Sequence, residues 1–259
     1  MNLNHELSIA RKAALAAGEI QKRMFLDKPS ITRKGETEIL TEADLASERV
    51  ILDVIGRHFP GDGIITEESG EHNPGRERVW LVDPLDGTTN FARGFPFFGV
   101  SIALEIGGDP VLGVIFNPSL DEYFEALKDS GAFRNKKRIR VSKVGALDAS
   151  LLATGFSYDV QNNPERPVEL FKKMLVRSHS VRRPGSAAID LCYVACGIFD
   201  GFWEEGLKPW DTAAGIVMVR EARGKLTTFD ATPYTPYEKS IVASNGLVHD
   251  TILQVLNSP

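Results

Sequence analysis

Two carboxylates three residues apart, Asp83 and Asp86, follow an apolar run in the stretch WLVDPLDGTTNF. A chain that only had to turn there would need a single Asp or Asn and a Gly. Pro84 stiffens the bend between the two acids, and the preceding apolar run implies a buried strand end. Two acids delivered to a buried strand end form a site for something positive. Other acids stand in similar positions. Glu67 and Glu68 end the run GIITEES, Asp44 follows Thr41 by three residues, and Asp211 lies beside Pro209 in KPWDTAAG. Taken singly, each could cap a helix or stand in solvent. If Glu67, Asp83, Asp86 and Asp211 converge, like charges about 4 Å apart repel by roughly 4 kcal/mol per pair at an effective dielectric near 20. Such a cluster requires protons or divalent cations. A donor set of oxygens, without His or Cys, favours Mg²⁺ or Mn²⁺ over zinc.

Gly87 and Thr88 come next. A helix starting there would offer free backbone N–H groups to an anion, and Gly87 would let a ligand approach without a Cβ in the way. Cations beside an anion-binding helix start are the equipment of phosphoryl chemistry. The chain has no Walker-type glycine loop, so a phosphate is expected to be removed from an ester, not donated by a nucleotide. No motif for a His or Cys nucleophile is evident.

The elements that must position these residues follow from periodicity. Residues 3–26 carry the helical repeat, with Leu7, Ala10, Ala13, Ala14, Ala17 and Met24 on it. DKPSITRKGETEILTEAD reads as a loop or loose hairpin. Thr41 is the expected N-cap of a second helix reaching about His58, with Asp44 completing an acidic capping box. GIITEES and RVWLVDP read as strands, and the text from Phe98 to about Val141 is β-like, with a Gly107-Gly108 turn. After about residue 150, strands and helices alternate: LLATGFS, PERPVELFKKMLVR, HSVRR, SAAIDLCYVACGIF, DGFWEE, PWDTAAGIVMVREAR, KLTTF, SIVASN and LVHDTILQVL. This alternation predicts a layered α/β architecture. The halves divide near 142–150, giving an N-terminal half, 1–145, with the acidic motifs and a C-terminal half, 146–259, with Asp211, within one compact domain.

Composition narrows the function further. The 259 residues carry a net charge of −5, which gives no footprint for direct nucleic-acid binding. No run approaches the roughly 18 apolar residues of a membrane span. The charged N-terminal helix does not resemble a signal peptide, so a soluble cytoplasmic protein is expected. The two cysteines, Cys192 and Cys196, lie in an apolar helical run and are expected to be small buried hydrophobes, with neither a disulfide scaffold nor a metal pair.

WLVDPLDGTTNFARGFPFFGVSIAL, ITEES, KPWDTAAG and RRPGSAAIDLCYVACGIFDGFWEEG together resemble the inositol monophosphatase family, in order and over nearly the whole chain. The resemblance implies a five-layer αβαβα sandwich, shared with fructose-1,6-bisphosphatases, and a lithium-sensitive, Mg²⁺-dependent phosphomonoesterase acting on inositol monophosphate or a similar polyol phosphate. It implies that Glu67, Asp83 and the Leu85 carbonyl hold a first ion, and Asp83, Asp86 and Asp211 a second. A third, weaker ion would use Glu67. Thr88, backed by Asp44, would orient the attacking water, and Lys34 would help to polarise it or to position a metal. Gly87 and Thr88 N–H groups would bind phosphate, while Gly185, Ser186, Ala187 and Glu204 would line the polyol pocket. A carboxylate suits two neighbouring hydroxyls. Glu205 is expected in solvent. Arg182 and Arg183 could meet a second phosphate or pair at a subunit interface, the latter favoured, since a homodimer is typical of the family. Trp203, Trp210, Phe95, Phe97 and Phe98 are expected mostly in the core. The alternatives are fructose-1,6-bisphosphatase, histidinol-phosphate phosphatase or 3′-phosphoadenosine phosphatase activity, and, from another class, a partner role in transcription antitermination.

Overall fold

Helix α1 (Asn4–Leu26) fully buries Ala10, Ala13, Ala14 and Ala17, a small-residue stripe at helical spacing that lets another helix approach closely. That helix is α2 (Glu42–His58). Its N-cap forms as expected: Thr41 Oγ1 accepts from the Ala43 N–H at 3.2 Å, and Asp44 Oδ2 accepts from the Thr41 N–H at 2.8 Å. The structure, a computed structural model, describes residues 3–26, 31–33, 39–157 and 160–258. Before α2, β1 (Ile31–Arg33) pairs antiparallel with β2 (Ile39–Thr41), the expected loose hairpin. Lys34 lies outside the described residues.

The first large sheet contains β3 (Gly63–Thr66), β4 (Gly70–His72) and β5 (Arg78–Asp86), then, after the short helix α3 (Thr88–Ala92), β6 (Gly99–Ile106), β7 (Asp109–Asn117), β8 (Glu122–Leu127), β9 (Gly131–Arg134) and β10 (Lys137–Arg138). Their order is β10-β9-β8-β7-β6-β5-β3-β4, and only β3 and β5 pair in parallel. Period-two alternation sends successive residues to opposite faces. Trp80, Val82, Ile102, Leu104 and Val114 join a core against α1 and α2, while Leu81, Ala103 and Ile115 face the other way.

A second sheet, ordered β12-β11-β13-β15-β14, contains β11 (Leu151–Thr154), β12 (Ser180–Arg182), β13 (Gly201–Glu205), β14 (Lys225–Thr227) and β15 (Ser240–Ser244). Helices α5 (Ala187–Ala195) and α6 (Pro209–Glu221) fill the space between the sheets, in one core with Leu81 and Ile115 on one side and Phe202 and Ala243 on the other. Covered on both sides, α6 is apolar around most of its circumference. Helices α4 (Glu165–Leu175) and α7 (His249–Leu256) close the outer face over Leu152, Trp203 and Val242. The expected five-layer αβαβα sandwich results.

Three local outcomes differ from expectation. The run GAFRNKKRIRV breaks into β9 and β10 because Asn135 and Lys136 both take positive φ. Strand β4, polar and without an alternating pattern, was not expected. Strand β5 runs past Pro84 to Asp86, and this shapes the site described below. Cys192 is buried and Cys196 half-buried, both as free thiols. Among the described residues no helix is long and apolar enough to cross a membrane.

Candidate active site

Because β3 and β5 are neighbouring parallel strands, their C-terminal ends open on the same edge of the sheet. Glu67 follows β3 directly, and Asp83 and Asp86 lie in the last turn of β5. In a regular strand, residues three apart face opposite sides. Here the β5–β6 register runs unbroken to Asp83↔Ser101 and resumes at Asp86↔Gly99, three residues against two. The extra residue makes a β-bulge at Pro84 and Leu85, where a missing N–H costs no ladder bond. The bulge restores parity, and both acids line one cleft. Gln21, fully buried on α1, donates from Nε2 to the Pro84 carbonyl at 2.7 Å, and Asp83 Oδ1 accepts from the Leu85 N–H at 2.9 Å.

Two helix N-termini bring the remaining partners. Ser186 caps α5; its hydroxyl donates to Asp86 Oδ2 at 2.6 Å, and the Ala188 N–H donates to the same oxygen at 2.8 Å. Asp211 sits in the first turn of α6, with Oδ2 accepting from the Lys208 N–H at 2.7 Å. Both acids therefore face the positive end of a helix. With Glu67 and Asp83 they line a cleft of about 640 Å³ between the large sheet and the second sheet.

The electrostatics of this cleft are unfavourable on their own. Burial raises the Asp83 carboxyl well above the usual range, and Glu67, Asp86 and Asp211 add to the rise. Burial and then the charge of Asp86 do the same to Asp211. Asp86 is pushed up to about 6 by burial, which outweighs its hydrogen bonds from Ser186 and Ala188. Among the described residues no three acidic, His or Cys side chains close into a ready-made ligand cage. Oxygen-only donors whose crowding disfavours their own ionisation fit a hard divalent cation, whose charge would remove the repulsion. The Leu85 carbonyl oxygen lies 3.0 Å from Thr88 Oγ1, whose one proton can instead go to Asp44, so the carbonyl lone pairs stay open to a cation.

Thr88 opens α3, and its Oγ1 also lies 3.0 Å from Asp44 Oδ1. Asp44 is fully buried, held by Thr41 N–H and Oγ1, and burial raises its carboxyl above the ordinary value. Gly87 precedes α3 at φ +89°, and a Cβ there would come within 2.9 Å of the Phe97 carbonyl. Asn90 Nδ2 ties α3 to both flanks, donating to the carbonyls of Phe97 at 2.7 Å and Pro184 at 2.8 Å.

Gly185, Ser186, Ala187 and Glu204 line the same cleft. Glu204 is buried on β13, and its carboxyl is pushed up to about 8, first by burial and then by Asp211. It fits only because residue 155 is glycine: a Cβ there would lie 2.2 Å from Glu204 Oε2. Gly155→Ala is therefore expected to swing the Glu204 carboxylate aside and raise KM for a polyol phosphate about tenfold, with kcat on an aryl phosphate little changed. Steady-state kinetics on both substrates check this, and an unchanged KM would show that Glu204 does not read the substrate.

The expectations for neighbouring residues divide. Glu205 is paired with Arg166 at 2.9 Å and is not free in solvent. Both arginines are exposed; Arg182 bonds the Ser180 hydroxyl, and Arg183 borders the cleft with its guanidinium 5.8 Å from the Phe156 ring centre. Trp203, Phe97 and Phe98 are buried, Phe95 is exposed, and Trp210 lines the cleft beside Asp211.

Several supporting residues were not singled out from sequence. Glu48 on α2 accepts from the Thr66 hydroxyl and, at 3.1 Å, from the Glu68 N–H, so it anchors the end of β3. Gln21, Asn90 and Gly155 act at long range and left no local signal. Asp190 did leave one, an acid inside the apolar run SAAIDLCYVACGIF.

Comparison with known proteins completes this picture. Residues 2–258 match the model of the inositol monophosphatase family. An inositol-1-monophosphatase of Synechocystis sp. is 44% identical over 255 residues, 96% of this chain and 88% of the relative. A fructose-1,6-bisphosphatase/inositol-1-monophosphatase of Aquifex aeolicus is 40% identical over 257 residues, 98% of this chain and 96% of the relative. The solved structure of inositol monophosphatase from Anabaena sp. superposes with a TM-score of 0.90 at 44% identity, over 99% of this chain and 96% of that one.

Proposed function

The chain belongs to the inositol monophosphatase family, and from that premise we propose that it is a Mg²⁺-dependent phosphatase of inositol monophosphate or a closely similar polyol phosphate. The observation that carries this proposal is the convergence of Glu67, Asp83, Asp86 and Asp211 on one cleft that the buried Glu204 also lines.

Glu67, Asp83 and the Leu85 carbonyl would hold one Mg²⁺, Asp83, Asp86 and Asp211 a second, and Glu67 a weaker third; Mn²⁺ suits the same oxygens. Bound there, the ions would supply charge neutralisation and a more acidic water. The protein's own groups do the rest. Thr88 Oγ1 donates its single proton to Asp44 Oδ1, which leaves its lone pairs to accept a proton from the attacking water. Asp44, shielded from solvent, holds that relay in place. Gly87 and Thr88 N–H groups, at the start of α3, would hold phosphate oxygens. Lys34 keeps the role its resemblance implies, polarising water or positioning a cation. Gly185, Ser186 and Ala187 shape the wall around the sugar ring, and Glu204 accepts from its hydroxyls. A homodimer and a cytoplasmic location belong to the same proposal.

Glu204→Gln is expected to lower kcat/KM on inositol 1-phosphate about tenfold, the lower end of the roughly 1.5–3 kcal/mol carried by a hydrogen bond to a charged group. Hydrolysis of p-nitrophenyl phosphate should stay within about threefold, because that ester offers no hydroxyls. Equal losses on both would assign Glu204 to the cations or the fold.

The substrate itself is tested by initial rates with Mg²⁺ on inositol 1-phosphate, fructose 1,6-bisphosphate, histidinol phosphate and 3′-phosphoadenosine 5′-phosphate. Inositol 1-phosphate should give the highest kcat/KM. A nucleotide or bisphosphate turned over about tenfold better would overturn the polyol assignment.

A further inference from the structure

An acid in the first turn of an apolar helix needs a reason. Asp190 of α5 is 1% exposed, and its Oδ1 has no hydrogen-bond partner among the described residues. A buried carboxylate oxygen left without a donor is costly, and an acid kept for structure would be answered by an N–H or a hydroxyl. Three other buried side-chain atoms share this condition: Gln21 Oε1, Glu105 Oε2 and Asn117 Nδ2. None of their residues lines the cleft, whereas Asp190 does.

Its surroundings narrow what it could meet. Burial holds the Asp190 carboxyl well above the ordinary range, the charges of Glu204 and then Asp86 add to this, and Arg183 opposes it. Asp190 therefore shares the cleft with Glu204, Asp86 and Arg183, whose charges all act on it. Two carboxyl groups against one guanidinium would repel a second phosphate. Arg183 favours the charged form of both Asp190 and Glu204. A neutral hydroxyl suits all three, since it donates to a carboxylate and accepts from a guanidinium N–H.

We infer that Asp190 is a second hydroxyl receptor, which with Glu204 and Arg183 reads adjacent hydroxyl groups on the organic half of the phosphate ester. The inference rests on the polyol-phosphate assignment above and deepens it. It makes the site selective for a vicinal polyol over a bisphosphate. A receptor built for a hydroxyl also rejects the analogue that lacks it, because the buried oxygen then stays unanswered.

The test uses the full chain with Mg²⁺ and two variants, Asp190→Asn and Asp190→Ala. Both should fold, because alanine is the best helix former and asparagine is nearly isosteric. Asp190→Ala is expected to raise KM for inositol 1-phosphate about tenfold or more, and Asp190→Asn by less, with kcat/KM on phenyl phosphate within about twofold of wild type. Both variants should also melt at or above the wild-type temperature, since each removes an unanswered buried carboxyl. A structural role would lower the melting temperature and depress both substrates together, and that result would overturn the inference. Unchanged KM on inositol 1-phosphate would overturn it as well. If wild type cleaves phenyl phosphate but no polyol phosphate, the polyol assignment fails and takes the Asp190 role with it. Wild-type activity on polyol phosphates with insensitive variants removes the Asp190 role alone.

Discussion

Stripping divalent cations with excess EDTA is expected to abolish phosphatase activity, and added Mg²⁺ to restore it. The cause lies in the cleft's own charge. Glu67, Asp83, Asp86 and Asp211 line one cavity, Asp83 and Asp211 are held well above the ordinary carboxyl range, and a phosphate ester would bring further negative charge among them. Each like-charge pair near 4 Å costs roughly 4 kcal/mol at an effective dielectric of 20, so the ester and the ionised acids cannot share the site without cations. The same repulsion gives a stability signature. The folded pKa values of Asp83 and Asp211 exceed their unfolded values. Their contribution to stability is therefore full below the unfolded carboxyl pKa, near 3.9, and is lost as pH rises through the raised folded values. In EDTA the protein should thus lose stability as pH rises from mildly acidic to alkaline. Mg²⁺ should reverse the loss, adding about 2.7 kcal/mol at a hundred times its Kd. Activity assays and thermal melts across pH, each with Mg²⁺ and with EDTA, read both effects. Full turnover in excess chelator would sink metal dependence.

Asp211→Asn is expected to slow turnover at least about a hundredfold, a barrier increase near 2.7 kcal/mol, while leaving the fold intact. Asp211 comes from α6, far along the chain from β3 and β5, so the ion it shares with Asp83 and Asp86 would report the docking of 146–259 onto 1–145. Asparagine keeps an acceptor for the Lys208 N–H, so the start of α6 is preserved. It also removes one of the mutually repelling acids, and the metal-free variant should therefore melt higher than wild type at alkaline pH, where the wild-type penalty is largest. Calorimetric titration should show about one tight Mg²⁺ site where wild type has a second, because Glu67 and Asp83 still hold theirs. Lithium should inhibit the residual activity less. Identical Mg²⁺ stoichiometry and affinity in the two proteins would mean that Asp211 is no ligand.

The layers, the Thr41–Asp44 cap and the acid-rich end of β5 are local facts of the chain. Apolar strand-like runs in WLVDP and GVSIALEI, helical spacing in residues 3–26, and a capping residue three positions before an acid are visible within a few residues of one another. For that reason a layered α/β architecture was legible before any coordinates, while the five-layer αβαβα order was what the family resemblance implied. What the chain alone left open depends on contacts between distant segments. The sequence places Asp83 and Asp86 three apart, which a regular strand would send to opposite faces; only the bulge against β6, held by Gln21 across 63 residues, brings both into the cleft. Nothing local to Gly155 says that its missing Cβ makes room for Glu204, because those residues meet only when β11 and β13 pair. Arg182 and Arg183 are alike in sequence and both exposed, and only the packed chain sets Arg183 at the border of the cleft. Asp190 was visible as an acid in an apolar helix, but burial alone would predict a partner, and the tertiary structure decides that its Oδ1 has none and that its side chain borders the cleft. Short-range periodicity and capping chemistry thus determine the elements. The site is a product of long-range packing, since parity, room and charge balance are properties of pairs that the chain brings together only when folded.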